Sequence, residues 1–336
     1  MRRPEEQTGA GEGRQWTSRS LASSFQHQVF YLLIRVGGRP AAYLLLRLVV
    51  LYYVLLRPSV RARSAPYLSR RFPGAGLLAR LGHSYRMSLA LGKVLVDRAV
   101  VGILGPGQME VELHGREELL ELLAEGRGLV MVNAHAGCWQ VAMSALSFLK
   151  EPVNMLMRRE DGDVDRQYFE HAGVPCPYRV IDPDGFLGGT LEMMAVLKEG
   201  QVLCVMGDRV LGSERSTVGV DFLGDEARFP VSAFKVASAT GAPVGVLLSY
   251  KTGPRSYELK LAGTIRVPPD LGRSPEALRP YAARFVGMLE DYVAEHPYQF
   301  FNFFDMWQGS ENKEQEGDSQ RKDAETQRKT QRKTDH

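Results

Sequence analysis

The chain has 336 residues, 44% of them apolar and 24% charged, with a net charge of +3 at neutral pH. That is enough chain for one large core with appendages, and too mild a positive charge to point to a nucleic-acid partner. The cysteines, Cys138, Cys176 and Cys204, form no CxxC pair and no metal-ligand pattern, which fits a reduced, cytosol-facing protein.

Residues 1–24 are polar and Arg-rich and read as a disordered N-terminus with no signal-peptide pattern. Residues 25–73 read as a membrane-anchoring helical segment. Val29–Ile34 is a short apolar run, and Ala41–Leu56 is a longer one with a single charge, Arg47. A spanning helix needs about 20 apolar residues, so the second run is marginal. Arg35 and Arg39 precede it, and Arg57, Arg61, Arg63, Arg70 and Arg71 follow it. With Tyr43, Tyr52 and Tyr53, the pattern is that of an interfacial anchor with snorkelling arginines. The plainer reading is a buried helix of a soluble core. Basic residues on both flanks leave the orientation open.

Residues 74–308 carry the main domain. Residues 74–127 read as helical with a break at Gly102–Gly107, and Glu117–Glu125 is a helix ended by Gly126. The pattern then alternates. Strands are predicted at Gly128–Ala134, Val153–Met157, Tyr178–Ile181, Gln201–Met206 and Val218–Phe222. Helices are predicted at Cys138–Leu149, Val164–His171, Phe186–Lys198 and Val231–Thr240. Val244–Tyr250 and Tyr257–Val267 read as an antiparallel strand pair at one edge, and Pro275–Glu295 as a long helix. The fold class is therefore α/β, a mixed, mostly parallel sheet flanked by helices. Residues 309–336 have dense mixed charge and no apolar face, and read as a disordered tail.

The stretch Gly128–Gln140, GLVMVNAHAGCWQ, organises the chain. His135 stands at the C-terminal end of a strand, and Gly137 leads into a helix. Open α/β sheets place their chemistry at such a turn. A His there can take a proton from a hydroxyl while backbone N–H groups, here near Gly137, hold a developing oxyanion. A lone His at a strand end can equally be a hydrogen-bonded turn residue. Cys138, three residues on, offers a covalent Cys–His alternative.

Other segments join it: MRRED at 157–161, MGDRVLG at 206–212, VDFLG at 220–224, ATGAPV at 239–244 and HPYQFFNFFDMW at 296–307. In order and spacing, from about Ser20 to Trp307, the chain resembles the bacterial late lipid A acyltransferases, the lauroyl and myristoyl transferases. The resemblance implies a transferase at the cytoplasmic face of the inner membrane. It would move a fatty acyl chain from an acyl carrier protein thioester to a lipid hydroxyl, directly and without metal or cofactor. His135 matches the family's base. At the position of its acidic partner this chain has Gln140, so catalysis is assigned to His135 with Gln140 orienting the ring. Two alternatives stay open: a carboxylate such as Asp208 or Glu160 takes that role, or the chain is a non-catalytic lipid-binding homologue. Substrate-binding roles are implied for Asp208 and Arg209, for Arg158 and Arg159 as phosphate ligands, and for Phe222 and Gly224 in a turn lining the acyl channel. Pro230 reads as a helix start, and Phe300–Trp307 as core or as the wall of an acyl groove. A lipid A precursor is the first acceptor. A lysophospholipid or a specialised pathway lipid is the alternative.

Overall fold

A computed structural model describes residues 24–158, 178–209, 216–269, 271 and 274–307. The described residues begin with three helices: α1 (Ser24–Leu56), α2 (Pro58–Arg71) and α3 (Leu77–Leu104). Next come β1 (Glu110–His114), α4 (Arg116–Ala124) and β2 (Leu129–Asn133). A single turn, α5 (Trp139–Ala142), runs on as 3-10 helix to Leu146. β3 (Val153–Leu156), β4 (Arg179–Ile181), α6 (Thr190–Lys198) and β5 (Val202–Met206) follow. The last third holds the hairpin β6 (Thr217–Phe222) and β7 (Asp225–Pro230), then α7 (Ser232–Thr240), β8 (Val244–Lys251), β9 (Ser256–Ile265) and α8 (Pro275–Glu295).

Among the described residues, seven strands form one sheet in the order β1-β9-β8-β2-β5-β3-β4. From β8 to β4 all neighbours are parallel, and β9 turns back antiparallel to β8. The short apolar runs of β2, β5 and β8 are buried on both faces, as central parallel strands must be. One face carries Val130, Val132, Leu203, Val205 and Val246 into a core shared with Met193, Phe234, Phe285 and Leu289 of α6, α7 and α8. The other face carries Leu129, Met131, Val202 and Cys204 against Leu119 of α4 and Leu146.

The predicted α/β class and the antiparallel β8–β9 pair agree with the structure. That pair is not the edge, because β1 lies outside β9. β1 was not predicted: only every second residue of Glu110–His114 is partly buried, so it lacks an apolar run. Pro230 ends strand β7 instead of starting a helix. The helix predicted at Val164–His171 lies outside the described residues.

The two N-terminal apolar runs form one helix, α1, broken by non-helical geometry at Gly38, where φ is 63°. Ile34, Ala42, Leu46, Val50 and Val54 form its buried stripe. That stripe packs in a cluster with Val94, Val96 and Val100 of α3. Gly92 of α3 lets Leu46 approach so closely that an added Cβ would lie 2.6 Å from it. The opposite face leaves Leu44, Leu48, Leu51, Leu55 and Leu56 exposed. Leu32–Leu56 is 25 residues with a mean hydropathy of 1.6, long and apolar enough to cross a membrane.

Candidate active site

Two adjacent parallel strands build the site. In their register Asn133 of β2 pairs with Met206 of β5. The Gly207 N–H donates to the Asn133 carbonyl at 2.8 Å and carries the ladder one step further. His135 and Asp208 each lie two residues beyond that pair, so the strands deliver both side chains to one point. His135 Nδ1 lies 2.9 Å from Asp208 Oδ1 and 3.1 Å from Oδ2. The carboxylate is fully buried, while 28% of the His135 side chain remains exposed.

The charges follow from these contacts. Burial holds the His135 imidazole below its ordinary value, against the opposing pull of Asp208. Burial also pushes the Asp208 carboxyl up, but the hydrogen bonds from His135 and the Arg209 charge oppose it, and the group lies below the usual carboxylate range. Near neutral pH the pair is therefore a neutral ring beside an ionised carboxylate. The carboxylate can only accept, so Nδ1 carries the proton and Nε2 keeps a lone pair. That is the tautomer a general base needs.

The C-terminal segment braces the turn. Ala136 forms an antiparallel bridge with Phe300. The Phe301 N–H donates to the His135 carbonyl at 2.7 Å, and the Gly137 N–H to the Gln299 carbonyl at 2.9 Å. The Ser249 hydroxyl donates to the Ala136 carbonyl at 3.0 Å. Gly137 has φ of 58°, and a Cβ there would sit 2.1 Å from the Ser249 carbonyl oxygen. Beside the turn, a narrow apolar space is lined by Met131, Met143, Met155, Met206 and Trp139.

The family model described as bacterial lipid A biosynthesis acyltransferase matches residues 92–308. The chain belongs to this family. The phosphatidylinositol mannoside acyltransferase of Mycobacterium tuberculosis (strain H37Rv) is 29% identical over 136 residues, 40% of this chain and 42% of its own. The protein of the same name from Mycolicibacterium smegmatis is 29% identical over 127 residues, 38% of this chain and 41% of its own. The chain thus spans about two fifths of the length of these curated relatives. The crystal structure of the 1-acyl-sn-glycerophosphate acyltransferase from Thermotoga maritima aligns with 77% of this chain and 98% of its own, at 16% identity and a TM-score of 0.36, a likeness too loose to argue from.

Within the family frame, several assignments change. The carboxylate at His135 Nδ1 is Asp208, supplied by the neighbouring strand. The Gln140 Oε1 instead receives the Cys138 thiol at 3.8 Å. Cys138 is fully buried in the cluster that contains Tyr257 and Phe301, under α1, which argues against a Cys–His nucleophile. Gly137 cannot give its N–H to an oxyanion while Gln299 takes it.

Arg209 stays at the site. Its Nη2 donates to the Phe301 carbonyl at 2.6 Å, and its guanidinium lies 5.3 Å from the Phe304 ring centre. Arg158 is brought to Asp184, in an exposed pair at 2.7 Å. Arg159 and Glu160 lie outside the described residues. Phe222 is fully buried, stacked on Trp307 and edge-on to Phe229 and Phe300, so it is core and not channel lining. Gly224, with φ of 89°, and Leu223, with φ of 54°, make the two-residue turn between β6 and β7. The brace at Gln299–Phe301 and the support from Ser249 were missed. The only sequence signal for them is the aromatic run after α8, which gives no partner.

Proposed function

We propose that the chain is an O-acyltransferase that moves a fatty acyl group from a thioester to a hydroxyl of a membrane glycolipid. The observation that carries this reading is the His135–Asp208 pair at adjacent strand ends, in a chain of this family. His135 Nε2 takes the hydroxyl proton as the oxygen attacks the thioester carbonyl. Asp208 stabilises the imidazolium that forms. The proton then leaves with the thiolate, and no acyl-enzyme is needed. The donor in this reading is an acyl carrier protein thioester at the cytoplasmic face of the inner membrane, and Arg209 is its candidate phosphate ligand. The methionine-lined space beside the turn is too narrow for an acyl chain as it stands, and in this reading it opens for one as the Met side chains yield.

The acceptor favoured here is a mannosylated phosphatidylinositol, which the names of the matching relatives support. The family description favours a lipid A precursor as the second reading. Purified full-length chain, given acyl carrier protein or coenzyme A thioesters and either acceptor, tests this by mass spectrometry. A one-acyl mass gain on a glycolipid, abolished by His135→Ala, is expected. No transfer from either donor to either acceptor by folded protein would overturn the reading.

A further inference from the structure

A second buried polar centre lies where the N-terminal helices meet the sheet. Asp97 of α3 is fully buried and takes four partners. Lys251 Nζ lies 2.6 Å from its Oδ2, and Arg39 Nε lies 3.2 Å from its Oδ1. The hydroxyls of Tyr43 and Tyr257 each donate to it at 2.6 Å. Arg39 follows the Gly38 break in α1, and it also donates to the carbonyls of Gln108 and Pro254. Core packing does not require two cations and a carboxylate out of water. Burying them is costly unless every group is matched.

The contacts continue from this centre to the catalytic turn. Lys251 is the last residue of β8. Its backbone is clamped at both ends by one side chain: its N–H donates to Gln299 Oε1 at 2.7 Å, and its carbonyl accepts from Gln299 Nε2 at 3.1 Å. The Gln299 carbonyl in turn accepts the Gly137 N–H at 2.9 Å, two residues from His135. Two residues before Lys251, the Ser249 carbonyl packs against Gly137 and accepts the Tyr292 hydroxyl at 3.0 Å.

We propose that Asp97, Lys251 and Gln299 are positioning residues that transmit the seating of α1 and α3 to His135. The inference rests on the reading of His135 as the base. Asp97 fixes the end of β8 through Lys251. Gln299 joins that end to the Gly137 turn, and the turn sets where the imidazole stands relative to Asp208.

The test uses full-length Lys251→Met, Gln299→Met and the double variant. Lys251→Met leaves Asp97 paired with Arg39, so its charge stays matched. Activity per folded molecule should fall about 10–100-fold in kcat with KM for the acyl donor nearly unchanged. The double variant should be no worse than the poorer single one, as for residues on one path. A readout free of turnover is the imidazole nitrogen resonances of His135, which should shift in both single variants, with Lys251→Arg restoring them. A lower melting point with kcat per folded molecule and His135 resonances both unchanged would overturn the proposal, as would full additivity. Absence of acyl transfer by the native chain would overturn the proposed function, while the resonances would still decide the coupling.

Discussion

The carboxylate that meets His135 comes from 73 residues further along the chain, and substitutions at the two candidate partners should separate sharply. Asp208→Asn keeps the shape but loses the charge that stabilises the imidazolium, so kcat should fall by about 10²–10⁴-fold. Gln140→Ala should stay within about tenfold of the native rate, because the ring is held by Asp208. Steady-state kinetics on both variants check this, and the reverse ranking would return the orienting role to Gln140. The pH dependence follows from burial. The His135 value is held below its ordinary 6.5, so kcat should rise with pH along an acid limb whose midpoint lies below about 6.5. The same group links pH to stability. Between its folded and unfolded values the unfolded chain binds more protons, so its contribution is present above about 6.5 and is lost as pH falls through the folded value. A thermal midpoint series across that window reads it. Gly137→Ala forces a Cβ to 2.1 Å from the Ser249 oxygen at a positive φ. It should cost about 2–4 kcal/mol and nearly all activity, measured by denaturant melts and turnover.

At the level of elements, α1 is apolar on both sides but buried on only one. The exposed row of Leu44, Leu48, Leu51 and Leu55 suits contact with lipid. The double substitution Leu48→Asp and Leu55→Asp touches no buried contact, so it should leave the melting point within about 2 °C while vesicle flotation falls at least about tenfold. Unchanged flotation would place the lipid contact elsewhere. Not all the arginines read as snorkelling are available for headgroups. Arg61 donates to the carbonyls of Val54 and Leu55 at the end of α1. Arg71 does the same at Val293 and Ala294 near the end of α8, where cations complement the helix dipole. The sequence could say that these positions were basic, but not which helix end lay beside them. The strands were legible for a similar reason. β2, β5 and β8 are short apolar runs ended by Gly or polar residues, and each is buried on both faces as such runs require. The helix read at Cys138–Leu149 breaks after one turn into 3-10 geometry, a tertiary effect that periodicity does not carry.

At the scale of the whole molecule, α1 is part of the packing. It covers the cluster of Cys138, Val141, Tyr257 and Phe301, and its Arg39 matches the buried charge of Asp97. A chain lacking residues 1–56 should therefore aggregate on expression, as judged by size-exclusion chromatography. A soluble, active truncation would contradict this account of the interface. The candidate site was half legible. His135 stood out by its place after a strand, and Asp208 by the same place after another. That those two strands are neighbours is a fact of topology, and one sequence does not state it. The strand order also sets how the pair can fail. With the base and its carboxylate on separate strands, a change in the spacing of those strands parts His135 from Asp208 without altering either side chain, so the β2–β5 pairing is itself part of the site.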